Sequence, residues 1–233
     1  DKNLDCKQSG FGINPIVGID YRTGKWNFAA RYEFATKLSL KNDTKENTTG
    51  MAQYDNGKEL GNDIPALLAA GVGFAPFERL RLYGAAHYFF DKNAATYNPA
   101  TDKNDKQDLL GGNTYELLAG IEFDLFKALT LSTGIQHTAY NFGDSKAYLS
   151  DMNIQTNSNS LALGAKIALS DKVAVDLACF KSFFDHLDKK NEPNSTAVQL
   201  GGLFQNPQLA SLATSDNYFR TSIAVAAGIK INF

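Results

Sequence analysis

The chain has 233 residues, of which 43% are hydrophobic and 21% charged, and its formal net charge is -2. A nucleic-acid-binding protein normally carries a surplus of basic residues, whereas this chain has 23 Lys and Arg against 25 Asp and Glu, which argues against that class. No run of eighteen apolar residues occurs, so a membrane-spanning helix is excluded. A transmembrane β-barrel is not excluded, because the hydrophobic residues of a barrel strand alternate with polar ones and form no long apolar run.

The first pair of predicted strands lies near the amino-terminal end. Residues 14–22 alternate apolar with small or polar side chains, the turn Thr23-Gly24-Lys25 follows, and residues 26–35 alternate again. Successive side chains of a strand point to opposite faces, so Arg31 and Glu33 share one face, opposite the aromatic residues. Charged residues on that face, which we call the inner face, need water or a partner charge.

Seven further strands are predicted along the rest of the chain. They cover residues 66–74, 80–90, 115–125, 129–135, 161–169, 173–179 and 219–233. Short turns such as Ser170-Asp171-Lys172 alternate with long polar stretches at 41–62, 91–113, 143–157 and 186–217, which we interpret as solvated loops. The count is about nine strands, whereas single-chain bacterial barrels have an even number. We therefore expect this chain to be the carboxy-terminal part of a larger barrel.

The last predicted strand, Phe219 to Phe233, has the clearest pattern. One face is apolar (Ile223, Val225, Ile229) and the other is polar or small. Its fifteen residues would rise nearly 40 Å at about 3.3 Å per residue and a tilt of about 40°, more than the roughly 25 Å apolar band of an outer-membrane barrel. Strands of soluble sandwiches are usually much shorter. Its aromatic end at Phe233 resembles the signal that outer-membrane barrels present to their insertion machinery.

Aromatic residues gather at both ends of the predicted strands. Tyr21, Trp26, Phe74, Phe77, Phe123, Phe126 and Phe233 lie near the short turns, and Phe34, Tyr88, Phe90, Tyr140, Phe142, Phe183, Phe184, Tyr218 and Phe219 lie near the long loops. Two belts at the membrane–water interfaces would produce this distribution. The alternative is that aromatic residues are simply common in strands.

The sequence contains no recognisable catalytic or metal-binding motif. Cys6 and Cys179 are predicted to be unpaired, and His87, His137 and His186 show no metal-binding spacing. No serine lies in a nucleophile-elbow pattern. The acidic cluster Asp102, Asn104, Asp105 and Asp108 lacks the glycine and terminal glutamate of an EF-hand, so a solvated loop is preferred over a calcium site. We predict no enzyme activity, no cofactor and no metal.

The inner face mixes charged and apolar residues, and two interpretations remain open. The charges can pair across strands and stiffen the wall. Alternatively, the apolar residues line a path for a hydrophobic solute, and an arginine binds a carboxylate head group. The candidate substrate-binding residues under the second interpretation are Arg31, Arg81, Tyr83, Phe89, Leu118, Tyr140, Phe180 and Arg220.

Residues 12–40 resemble a mid-barrel segment of the FadL family. The matching residues are Pro15, Gly18 and Tyr21 on the first strand, Trp26, Ala29 and Tyr32 on the second, and the run Thr36-Lys37-Leu38. The resemblance continues more loosely to the end of the chain. It implies a transmembrane antiparallel up-and-down barrel of about fourteen strands, and a transporter of long-chain fatty acids or aromatic hydrocarbons in the bacterial outer membrane. The family's amino-terminal hatch, with its Asn-Pro-Ala motif, is not matched, because Asn14-Pro15 lacks the following alanine.

The sequence therefore predicts one transmembrane β-barrel domain over residues 1–233 that passively imports hydrophobic small molecules. The alternative is a small structural or adhesive outer-membrane barrel that acts through its long loops. Expected partners are membrane lipid and lipopolysaccharide, the hydrophobic substrate, the barrel insertion machinery, and a separate amino-terminal fragment that completes the barrel. The opening residues contain no apolar segment, so any signal peptide is expected to lie outside this chain.

Overall fold

The computed structural model describes residues 2–142, 156–191 and 214–231. Its strands are β1 (Leu4–Ser9), β2 (Ile16–Thr23), β3 (Trp26–Glu33), β4 (Ser39–Asn47), β5 (Glu59–Gly61), β6 (Leu67–Phe77), β7 (Leu80–Phe89), β8 (Tyr115–Phe126), β9 (Leu129–Ala139), β10 (Ser158–Ala168), β11 (Val173–Phe184), β12 (Leu187–Asn191), β13 (Thr214–Tyr218) and β14 (Thr221–Ile231). Short 3-10 helices cover Ala52–Tyr54, Asp91–Asn93 and Lys106–Leu109.

One large antiparallel sheet dominates the described part of the chain. It contains nine strands in the order β14-β11-β10-β9-β8-β7-β6-β3-β2, so each strand pairs with the strands of this sheet that come before and after it in the chain. The up-and-down arrangement and the nine predicted strands of this sheet are confirmed. Within the described residues the sheet is not closed, and β2 and β14 are its edges.

The register keeps the two faces apart, as the alternation predicts. Arg31 is opposite Ala69, which is opposite His87, so these side chains share the inner face. On the other face, which we call the outer face, Phe28 is opposite Val72. The side-chain period of a strand is two, so a register shift of one residue would exchange these sets.

Short turns join the strands at one end of the sheet. At the first, Gly24 adopts a positive φ of 54°, a left-handed conformation that glycine reaches at little cost. At the last, the Ser170 side chain accepts hydrogen bonds from the backbone N–H groups of Lys172 (3.3 Å) and Val173 (3.1 Å). Long connections leave the opposite end, and the predicted alternation of short turns and long loops is confirmed.

The prediction of residues 41–62 as an irregular loop is wrong. Strands β4 and β5 lie there, and β4 also pairs with β1, in the polar segment that precedes the first predicted strand. Asn42 is buried, and its side-chain amide donates to the carbonyl groups of Gln53 (2.8 Å) and Asp55 (3.1 Å). This small sheet is held by polar contacts, so it has no apolar alternation from which to predict it.

Two further expectations need correction near the carboxy-terminal end. Residues 186–217 are not wholly a loop, because β12 pairs with β13. The last strand begins at Thr221 and not at Phe219, since the Arg220 carbonyl accepts a hydrogen bond from the Phe184 N–H (3.2 Å) where the chain turns into β14. Phe233 and the loop at 143–155 lie outside the described residues.

Both cysteines are free, as predicted. Cys6 lies on β1, where its sulfur accepts a hydrogen bond from the Thr44 hydroxyl at 3.1 Å. Cys179 lies on the outer face of β11, opposite Leu163 and Val225.

Candidate functional site

An apolar depression lies in the middle of the inner face. One cross-strand row runs through Tyr83, Gly120, Gly134, Ala162 and Phe180 on five consecutive strands of the sheet. The three central residues have little or no side chain, so the two aromatic rings stand on either side of a low floor. The resulting space has a volume of about 300 Å³.

The next row toward the long loops completes this depression. Leu118 lies opposite Ala85 on one side and Gln136 on the other, and all three line the space. The lining is apolar apart from the Gln136 amide and the Tyr83 hydroxyl. This pattern, a hydrophobic pocket with few polar groups, is typical of small-molecule binding sites.

A second and larger depression adjoins the first at Ala85, which lines both. Its volume is about 610 Å³, and its polar lining includes Asp20, Arg31 and His87. The Arg31 guanidinium contacts Glu33 at 2.9 Å and keeps 52% of its side chain exposed. It is therefore paired once and still accessible to a ligand.

Hydrogen-bonded polar residues form the border between the depressions and the long-loop end. His87 Nδ1 lies 2.9 Å from one oxygen of Glu116. The other Glu116 oxygen accepts hydrogen bonds from Gln136 (3.0 Å) and Thr138 (3.3 Å). The orientation of Gln136 and His87 is thus set by a shared carboxylate.

A charged network occupies the inner face near the short turns. The Arg81 guanidinium donates two hydrogen bonds to Asp124, at 2.8 and 2.5 Å, and a third to Glu122. Thr130 donates to the same Asp124 carboxylate at 2.7 Å. A polar depression of about 690 Å³ lies here, and its lining includes Lys166.

The remaining predicted residues lie at the long-loop end. Phe89 is opposite Leu67 on the inner face, and Tyr140 stacks on Phe142 with ring centroids 5.7 Å apart. The Arg220 guanidinium lies over the Phe184 ring at 4.7 Å. Phe184 is opposite Ser158, on the inner face, so it does not belong to an outward-facing aromatic belt.

The structure thus divides the eight candidate residues into four groups. Tyr83, Leu118 and Phe180 line one depression, and Arg31 lines the adjoining one. Phe89, Tyr140 and Arg220 lie nearer the long loops. The Arg81 guanidinium donates hydrogen bonds to two carboxylates near the short turns. His87, Gln136 and the glycine floor were not among the substrate-binding residues predicted from the sequence. Interior strand glycines were a usable signal for a close approach or a ligand, but their alignment depends on the register.

Hydrogen bonds interlock two long connections, the one between β3 and β6 and the one between β7 and β8. Asp63 accepts hydrogen bonds from Lys37 Nζ (2.6 Å) and from the backbone N–H groups of Leu38 (2.9 Å) and Ala95 (3.3 Å). Burial acts to raise the pKa of the Asp63 carboxyl, but the Lys37 and Leu38 hydrogen bonds outweigh it and leave the pKa lowered. Lys58 also contacts Asp102 across the same connections at 2.5 Å.

The acidic cluster considered for calcium is held by protein groups. Asp102 accepts from Lys58 and from the Tyr97 hydroxyl (2.7 Å), and these hydrogen bonds lower the pKa of its carboxyl. Hydrogen bonds from Thr101 and Asn98 lower the pKa of Asp105. Over residues 2–142, 156–191 and 214–231, no group of three or more His, Cys, Asp or Glu is placed to hold a metal ion. Within the same ranges, no helix is long and apolar enough to cross a membrane.

Comparison with known proteins identifies the fold. No protein-family model and no curated protein sequence matches this chain. A solved structure of a Pseudomonas aeruginosa FadL homologue is similar over 92% of this chain and 50% of its own, with a TM-score of 0.59 and 12% identity. The P. putida toluene transporter TodX is similar over 97% and 50%, with a TM-score of 0.55 and 12% identity. The chain has the FadL-type barrel fold.

A third FadL-type structure agrees with this result. The Ralstonia pickettii toluene transporter TbuX is similar over 95% of this chain and 48% of its own, with a TM-score of 0.50 and 13% identity. The chain spans about half the length of these FadL-type proteins. Two of these structures are named as toluene transporters.

Proposed function

We propose that this chain forms part of a bacterial outer-membrane channel for the passive uptake of hydrophobic small molecules. The apolar depression between Tyr83 and Phe180 is the observation that carries the proposal. Its floor consists of Gly120, Gly134 and Ala162, so an apolar solute contacts backbone and two flanking rings without displacing side chains. A hydrophobic molecule gains free energy there in proportion to the apolar surface that it buries.

The outer face supports a membrane location. Its exposed residues include Ile135, Leu163 and Val225, the last with 78% of its surface accessible. In an outer-membrane barrel such a face contacts lipid, the short turns lie on the periplasmic side and the long loops lie outside. The similar solved structures are those of a FadL homologue and two toluene transporters.

Long-chain fatty acids are the finer substrate class that we propose. The acyl chain occupies the apolar depression, and the carboxylate reaches the adjoining one, where Arg31 is exposed. Arginine binds carboxylates through parallel N–H donors. Arg81 is a poorer partner for the head group, because Asp124 and Glu122 already use its donors.

The barrel is completed by strands that the described sheet does not contain. Strands β2 and β14 each have an edge without a partner, and such an edge cannot face lipid because its backbone groups would lack hydrogen bonds. The missing strands come from another part of the same polypeptide or from a separate amino-terminal fragment. A small structural barrel, the alternative, would require β2 to pair with β14. These two strands run in the same direction, whereas barrels of this kind are antiparallel throughout.

A matched pair of double variants tests the proposed channel. Tyr83→Ala with Phe180→Ala removes the rings beside the depression, and Tyr88→Ala with Phe183→Ala removes the same residue types from the outer face of the same two strands. Binding of toluene and of a long-chain fatty acid is measured in detergent by calorimetry. The inner variant should bind both ligands at least about tenfold more weakly. Equal affinities in the two variants would remove the depression from the proposal.

Native mass spectrometry of the detergent-extracted particle tests how the barrel is completed. It reports the mass of the polypeptides and any small molecule that they release. A particle heavier than this 25.4 kDa chain that releases a fatty acid is the expected result. A lone chain of this mass with no ligand would favour the structural barrel.

A further inference from the structure

The outer face carries an unexpected cation. Among the outward positions of the nine sheet strands that the structure describes, Lys181 is the single charged residue. It lies opposite Leu161 on β10 and Ile223 on β14, and both of these side chains are exposed. A lysine on the lipid-facing side is strongly destabilising at the middle of a bilayer and much less so near its surface. Its ammonium group therefore needs a polar environment.

The Lys181 side chain extends toward the long-loop end. Its ammonium nitrogen lies 4.9 Å from the centre of the Phe183 ring, one row nearer the loops. Phe183 is opposite Asn159, and the Asn159 side-chain oxygen lies 2.9 Å from His137 Nδ1. The register therefore places a cation, an amide and an imidazole on one side of the sheet, directly above apolar rows.

We propose that Lys181, together with Asn159 and His137, binds a phosphate group of an outer-leaflet lipid. The inference rests on the proposed membrane location. The ammonium group supplies charge and hydrogen-bond donors, and the aromatic ring holds it at the edge of the apolar band. The acyl chains of the same lipid contact Leu161 and Ile223. A lipid that combines several acyl chains with phosphates, such as the lipid portion of lipopolysaccharide, meets both requirements.

The test compares phosphorylated and dephosphorylated lipid. The detergent-solubilised protein is titrated with bisphosphorylated lipid A and with the same lipid after removal of its phosphates, and bound lipid is counted by native mass spectrometry. Lys181→Met removes the charge and keeps an apolar side chain that suits a lipid-facing position. Lys172→Met, in the short turn at the other end of β11, is the control.

The wild-type protein and Lys172→Met should prefer the phosphorylated lipid, and Lys181→Met should bind it roughly tenfold more weakly, the contribution of one charge-assisted hydrogen bond. Equal binding by Lys181→Met, or no preference for phosphate in the wild type, would overturn the inference. Insertion into phospholipid vesicles separates the two proposals. Failure of the wild type to insert would reject the membrane location and this site with it, whereas insertion with equal lipid A binding would reject this site alone.

Discussion

Gly120 and Gly134 lie directly opposite each other on β8 and β9, in the middle of the inner face. Tyr83 precedes this pair in the same cross-strand row, and Ala162 and Phe180 follow it. Glycine weakens a strand interior, because it has no side chain to pack and loses more conformational freedom on folding. Two glycines at one cross-strand position therefore favour a role in leaving space for a ligand.

Filling this space should block binding. A Cβ atom at Gly120 would lie 3.5 Å from the Thr133 carbonyl oxygen, an ordinary contact, so Gly120→Leu should fold. We expect it to lower the affinity for toluene roughly tenfold or more, because the leucine occupies the ligand's volume. Gly84→Leu on the outer face is the control, since its Cβ would lie 3.7 Å from Val72. Titration calorimetry distinguishes them, and unchanged affinity in Gly120→Leu would contradict the assignment.

Arg31→Met should separate acids from hydrocarbons. Its guanidinium lies in the depression that adjoins the apolar one, and only Glu33 pairs with it among the described residues. We expect the affinity for a long-chain fatty acid to fall by about 1 kcal/mol, since the group is half exposed, while toluene binding stays unchanged. Arg22→Met, near the first short turn, is the control. A parallel loss for both ligands would indicate a structural effect and not head-group recognition.

Arg81→Met should destabilise the barrel without abolishing ligand binding. The substitution leaves Glu122 and Asp124 close together with no cation between them. We expect a loss of about 1–3 kcal/mol in unfolding free energy, measured by denaturant titration in detergent. Adding Glu122→Gln and Asp124→Asn should restore most of it, because both unpaired charges are then removed. Arg79→Met, in the adjoining turn, is the control, and an equal loss there would show that the network contributes little.

The interlock of the two loops should depend on pH through Asp63. The pKa of Asp63 is lowered in the folded protein. Its contribution to the stability of these loop contacts is therefore fully present above the unfolded pKa of about 3.9 and is lost as the pH falls through the lowered value. At pH 7, Asp63→Ala should increase hydrogen exchange at Leu38 and Ala95 by roughly tenfold. The difference from the wild type should disappear in acid, after correction for intrinsic rates. Asp43→Ala, an exposed carboxylate on β4, should change neither amide.

Much of the large sheet was predictable from the sequence because one physical rule governs it. Residues 161–169 and 173–179 alternate apolar with small or polar side chains, and Ser170-Asp171-Lys172 separates them, so strand, turn and facing direction all follow. The small sheet of β1, β4 and β5 was missed. Its stability comes from contacts such as Asn42 to Gln53, and the period-two pattern carries no information about them.

The candidate site was predicted only in part for a related reason. Tyr83, Leu118 and Phe180 could be assigned to the inner face from the alternation of side chains along each strand, and they do line one depression. The alternation does not show which inner residues are neighbours across strands. Arg81 was therefore grouped with them, although it lies in the charged network near the short turns. His87 and Gln136 were not selected, because their common partner Glu116 is distant in sequence.

The sequence by itself determined the nine strands of the large sheet, their two faces and the alternation of short and long connections. Each of these depends on residues that are close along the chain, and local periodicity records them. Only the tertiary structure decided that Gly120 meets Gly134, that Arg81 is neutralised by Asp124, and that Lys181 reaches the row of Asn159. These relations depend on cross-strand register, which is set by the packing of the whole sheet.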